Sequence, residues 1–110
     1  MPIIEMTFKC VDGGKLTPNQ KRHQFEIFGY DFMIDEQLTP WLIEVNTNPC
    51  LEETSELLKS LLARMLDDAF KLTLDVMFPP HQPITNKPVF PVEGYEDSEN
   101  LWKHMYTLKP

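Results

Sequence analysis

The stretch from Phe25 to Leu51, FEIFGYDFMIDEQLTPWLIEVNTNPCL, joins two runs of aromatic and branched residues through one short polar link. Phe25 to Ile34 and Trp41 to Asn46 have the composition of strands, and Asp35-Glu36-Gln37-Leu38-Thr39-Pro40 between them has that of a turn. The reading is a β-hairpin. With the turn centred between Gln37 and Leu38, Ile34 faces Trp41, Asp31 faces Glu44 and Gly29 faces Asn46. Directly opposed residues share a face. Phe28, Tyr30, Phe32 and Ile34 then lie with Trp41, Ile43 and Val45 on a core face, and Met33 and Leu42 share the opposite face with the two acids.

Like charges directly opposite one another are destabilising, so Asp31 beside Glu44 calls for something positive between them. Asn46, two residues past Glu44, offers an amide oxygen to the same spot. Two carboxylates and an amide oxygen suit a hard cation. Mg²⁺, which keeps most of its ligands as water and nucleotide phosphate, is the natural candidate. Gly29 is expected to leave that face open to a ligand. The alternative is a solvent-facing strand edge with scattered acids, but acids that share a face with Met33 and Leu42 are partly desolvated and need a partner.

FEIFGYDFMID, then PWLIEVNTNPCLE, then a Leu-rich helix with DDAFKLTLD and FPP closely resemble the C-terminal part of the tubulin-tyrosine ligase-like family. The resemblance covers roughly Ile3 to Pro80, weakening around Gly13-Gly14, and leaves 81–110 as a Pro-rich acidic tail. It implies an ATP-grasp fold and a ligase that uses ATP and Mg²⁺ to join an amino acid (tyrosine, glutamate or glycine) to a protein carboxylate, typically in tubulin. By motif position, Asp31 of GYDFMID and Glu44 and Asn46 of IEVN match the family's Mg²⁺ ligands. The resemblance implies that those three act by placing metal and nucleotide rather than by moving protons, with Glu44 as the bridging ligand. The expected fold class is α+β: an antiparallel hairpin packed on a long amphipathic helix, part of an ATP-grasp C-terminal subdomain.

A chain of 110 residues suffices for one small domain, whereas the family's catalytic domain is much larger. It lacks candidates for the strands that cover adenine, for lysines meeting the α- and β-phosphates and for a glycine-rich phosphate loop. The expectation is therefore a fragment without catalysis of its own. The net charge of −7 is uneven: about +2 over Met1 to Gln24 and about −5 over Phe25 to Asn48. An acidic chain of this kind is no nucleic-acid binder, and any surface gripping an acidic tubulin tail has to lie elsewhere. No apolar run approaches a membrane span, and no export leader is visible. The expected setting is cytoplasmic, with the cytoskeleton or cilium implied by the resemblance, and with Cys10 and Cys50 as reduced thiols.

In chain order, Pro2 to Cys10 reads as a short helix. Val11 to His23 reads as a solvated loop in which Lys15, Lys21 and Arg22 make a basic patch and His23 is an exposed histidine. Pro49 ends the second strand near Asn46, Asn48 is a turn residue or a second polar contact, and Cys50 is a buried or half-buried structural thiol. Thr54 or Ser55 caps a helix running to about Met77, whose apolar stripe (Leu57, Leu58, Leu61, Leu62, Met65, Leu66, Ala69, Phe70) packs on the hairpin. Asp67, Asp68 and Asp75 beside the stripe are expected to be solvated. The tail is a connector ending in a short amphipathic element whose Trp102 and Tyr106 dock on the domain or a partner. A second reading of the whole is a non-catalytic remnant serving as a structural or microtubule-associated module. The retained trio of Asp31, Glu44 and Asn46 weighs against it.

Overall fold

Fixed φ at Pro2 and an i,i+4 pair of Glu5 with Lys9 favour a helix at the start of the chain, and α1 runs over Pro2–Val11 with that pair closed at 2.6 Å. The structure, a computed structural model, describes residues 2–11, 24–81 and 89–107. Four further elements follow: β1 (Gly29–Ile34), β2 (Pro40–Asn46), α2 (Glu56–Leu72) and α3 (Leu74–Met77). The architecture is α+β, with β1 and β2 forming a two-stranded antiparallel hairpin. The chain divides into two compact units, Met1–Cys50 with Met105–Pro110, and Leu51–His104. The Lys15, Lys21, Arg22 and His23 readings fall outside the described residues. No helix among the described residues is long and apolar enough to cross a membrane.

In the first unit Phe8 of α1 meets Phe28 edge to face at 6.2 Å, just ahead of β1. The hairpin's turn is fastened by Asp35. Its backbone N–H donates to Thr39 O at 3.1 Å and its carbonyl accepts from Leu38 N at 2.9 Å. Its side chain accepts from the N–H groups of Gln37 and Thr39 and from the Trp41 indole, at 2.8–2.9 Å. The Trp41 hydrogen bond, followed by that from Thr39 N, holds the Asp35 carboxyl below its ordinary pKa. A tight turn of this kind needs a left-handed residue, and Leu38 takes that place at φ 61°.

The register matches expectation from Gly29↔Asn46 through Tyr30↔Val45 to Asp31↔Glu44, then slips by one residue: Phe32 pairs with Leu42 and Met33 with Trp41. Ile43 is the extra residue of this β-bulge. The bulge overturns the expected pairing of Ile34 with Trp41; Ile34 faces Pro40 instead. It also breaks the continuous core face, because alternation restarts beyond it. Tyr30 and Phe32 stack at 6.1 Å, but Ile34, Trp41 and Ile43 are 65%, 61% and 59% exposed.

The second unit is built around α2. Ser55 is its N-cap, accepting the Leu58 N–H at 3.2 Å, and Glu56 sits in the first turn where the helix end favours an acid. The helix does not continue unbroken to Met77. Thr73 leaves helical geometry, and its hydroxyl donates to Ala69 O at 2.8 Å, a local bond that competes with the helical ladder. Helix α3 resumes after this step.

The centre of this unit is polar. Arg64 and Asp68 are 1% and 0% exposed, and among the described residues only Ala69 and Val92 are buried apolar side chains. Asp68, expected in solvent, is enclosed because the chain from Phe90 to Trp102 wraps it. Arg64 Nε donates to Asp68 Oδ2 at 2.9 Å, Nη1 to Phe90 O at 3.1 Å, and Nη2 to Glu96 O and Asp97 O at 3.0 and 3.2 Å, with Glu99 O also in its reach. Two turns shape this wrap. One has Gly94 at φ 87° and closes from Tyr95 N to Val92 O at 3.1 Å; the next closes from Glu99 N to Glu96 O at 3.0 Å. Asp68 Oδ2 accepts Leu101 N, Asn100 Nδ2 donates to Asp68 O, and the Trp102 indole donates to Met65 O, at 2.9–3.0 Å. Trp102 thus docks as the sequence suggests. Tyr106 belongs to the other unit.

Candidate functional site

Asp31 on β1 and Glu44 on β2 lie beyond the bulge from the turn, where the extra residue Ile43 brings the strands into the expected pairing. They are direct partners, both exposed, and among the described residues neither forms an ion pair. Asn46, half-buried at the end of β2, lies on the same face. Its Nδ2 donates to Asp31 Oδ2 and to Glu44 Oε1, each at 3.3 Å. One amide therefore sits between two carboxylates. The three residues singled out in the sequence are brought together.

The arrangement is oxygen-rich and lacks a covalent nucleophile. Among the described residues no group of three or more His, Cys, Asp or Glu side chains gathers in a way that could hold a metal ion, and the third polar group beside the two carboxylates is the Asn46 amide. Two converging carboxylates bridged only by neutral N–H groups have unmatched negative charge, and an amide can present its oxygen as readily as its NH₂. This donor set fits a hard divalent cation holding most of its shell as water or phosphate.

Two neighbours differ from expectation. Gly29 does not open the face to a ligand. A Cβ at that position would lie 2.9 Å from Pro49 Cβ, so the space is filled by this chain's own loop. Cys50, expected to be buried or half-buried, is exposed, as is Cys10, and both are free thiols. An open, largely apolar groove of about 440 Å³ in the second unit, bordered by Glu53, Glu56, Lys59, Ala63 and Phe90, has no convergent set of catalytic groups. The sequence reading did not find the Arg64–Asp68 centre. Its only local sign is the i,i+4 spacing of opposite charges, which most often marks a surface pair.

A model of the tubulin-tyrosine ligase family matches residues 3–86. Tubulin glycylase 3D of Tetrahymena thermophila is 44% identical over 59 residues, which are 54% of this chain and 6% of the relative. The probable alpha-tubulin polyglutamylase Ttll1 of the same organism is 38% identical over 72 residues, 66% of this chain and 17% of the relative. The human tubulin polyglutamylase TTLL5 is 37% identical over 67 residues, 61% of this chain and 5% of the relative. The chain thus spans a small part of each relative's length. No solved structure matches. Since the family match takes in α1, the hairpin with Asp31, Glu44 and Asn46, and all of α2 and α3, the chain belongs to the tubulin-tyrosine ligase family.

Proposed function

We propose that this chain is the part of a tubulin-modifying ligase that holds Mg²⁺ and, through it, ATP, with Asp31, Glu44 and Asn46 as the protein ligands. The observation that carries the reading is the convergence of both carboxylates on a single Asn46 amide. The hairpin and α2 belong, on this reading, to the C-terminal subdomain of an ATP-grasp fold. When bound, the cation neutralises phosphate charge and holds the phosphates in line. The protein's own residues set where that happens. Asp31 and Glu44 supply charge from adjacent strands, and Asn46 supplies a neutral oxygen that completes the set without adding repulsion.

The relatives' names speak of glycine or glutamate added to tubulin, and tubulin or another acidic protein tail is the proposed partner. Such a tail is repelled by the acidic hairpin, so its docking surface lies outside the hairpin. Cytoplasm, with microtubules or a cilium, is the setting this implies. The exposed Ile34, Trp41 and Ile43 favour a second reading in which the hairpin serves as a packing or interaction module without turnover. The two readings part on Glu44. In the longest natural form of the protein, Glu44→Gln should lower ATP-dependent incorporation of labelled amino acid into tubulin at least about a hundredfold while leaving the far-UV spectrum unchanged. Undiminished incorporation in that variant overturns the ligand assignment, and no incorporation by the unmodified protein favours the packing module.

A further inference from the structure

The site depends on where the Asn46 amide stands, and β2 ends at that residue. Backbone pairing therefore supports Asn46 from one side only, through Gly29 across the hairpin. Support on the other side comes from Pro49. After the bend at Thr47-Asn48 the chain returns so that Pro49 lies over Gly29: a Cβ built on Gly29 would be 2.9 Å from Pro49 Cβ, 3.8 Å from Pro49 Cα and 3.7 Å from Asn46 Cβ. Gly29 is not among the residues at positive φ, so its backbone accepts any L-residue. Glycine is required there for space. The group occupying that space is a rigid pyrrolidine ring with fixed φ and no N–H to satisfy, which cannot swing aside as a flexible side chain can.

We infer that Gly29 and Pro49 form a positioning pair: their direct contact clasps the Asn46–Pro49 loop to β1 and holds the Asn46 amide between Asp31 and Glu44. A methyl group on residue 29 displaces Pro49 by several tenths of an ångström at least, and only Thr47 and Asn48 separate that displacement from Asn46. The atom that matters is the Cβ of Pro49. Alanine at position 49 keeps it and glycine removes it, so the two substitutions separate the contact from the ring's rigidity. The cation part of the consequence rests on the proposed role of the trio; the positioning itself does not.

The test uses the full chain labelled with ¹⁵N, following the side-chain NH₂ resonances of Asn46, assigned by their loss in Asn46→Ser. Without metal, Gly29→Ala is expected to move them toward free-amide values while the Trp102 indole resonance, in the other unit, stays in place. With Mn²⁺ added, Gly29→Ala should raise the concentration for half-broadening about tenfold in the natural and Pro49→Ala backgrounds, but less than about threefold in the Pro49→Gly background. Equal effects in all three backgrounds, or unmoved Asn46 resonances in Gly29→Ala, overturn the positioning pair. If Mn²⁺ leaves Asn46 unbroadened in the natural chain while Gly29→Ala still shifts the metal-free resonances, the positioning pair is supported and the cation reading falls alone.

Discussion

Arg64 and Asp68, one turn apart on α2 and joined at 2.9 Å, are hydrogen-bonded by the backbone of the Phe90–Leu101 segment. Removing one member of such a buried pair strands the other and the groups it satisfies. In Arg64→Met, Asp68 keeps Lys71 and Leu101 N, but the carbonyls of Phe90, Glu96, Asp97 and Glu99 lose the Arg64 donor, and of these Glu96 O still accepts from Glu99 N. The expected loss is about 3 kcal/mol, read as a fall of about a hundredfold in hydrogen-exchange protection of the Leu101 amide. Unchanged protection would show that the segment holds itself in place.

Burial pushes the Asp68 carboxyl up, but hydrogen bonds from Leu101 N, Lys71 and Arg64 outweigh it and leave its pKa below the ordinary value. A carboxyl depressed in the folded state contributes stability that is fully present above its unfolded value of about 3.9. That contribution is lost as pH falls through the lower folded value. On acidification below about pH 4 the Trp102 indole resonance should therefore move toward its solvent-exposed position. Asp68→Asn should remove this step and loosen Trp102 at neutral pH.

Leu38 holds a left-handed conformation at φ 61° with its side chain 81% exposed. A non-glycine residue there costs about 1–2 kcal/mol, and glycine gives back about 0.5–1 kcal/mol through the freedom of the unfolded chain. Leu38→Gly should thus stabilise the hairpin by about 0.5–1 kcal/mol, measurable as slower exchange of the Asp35 amide that donates to Thr39 O. Faster exchange would mean that the Leu38 side chain contributes more than its exposure indicates.

Much of this was legible in the sequence, and the failures have physical causes. Strand alternation places Glu44 and Asn46 on one face, but the pairing of Asp31 with Glu44 is expected from a turn centred between Gln37 and Leu38; the turn is centred on Gln37, and the extra residue Ile43 supplies the missing offset. The bulge at Ile43 was not legible. Leu42 and Ile43 are both apolar, so slipping the register between them buries no polar group and leaves the pattern of letters unchanged. The Arg64 centre was missed for a different reason. Its carbonyl partners lie 26 to 35 residues away along the chain, a distance at which no periodicity carries a signal. Asp68 then looked like any acid on a solvated helix face.

The most direct measurement of the central claim is Mn²⁺ binding to the full chain, followed by water-proton relaxation and competed with Mg²⁺. The account predicts a Mg²⁺-displaceable site, with Asp31→Asn and Glu44→Gln each weakening it at least about tenfold and the double variant abolishing it. Titrations that coincide for the natural chain and the double variant would contradict it.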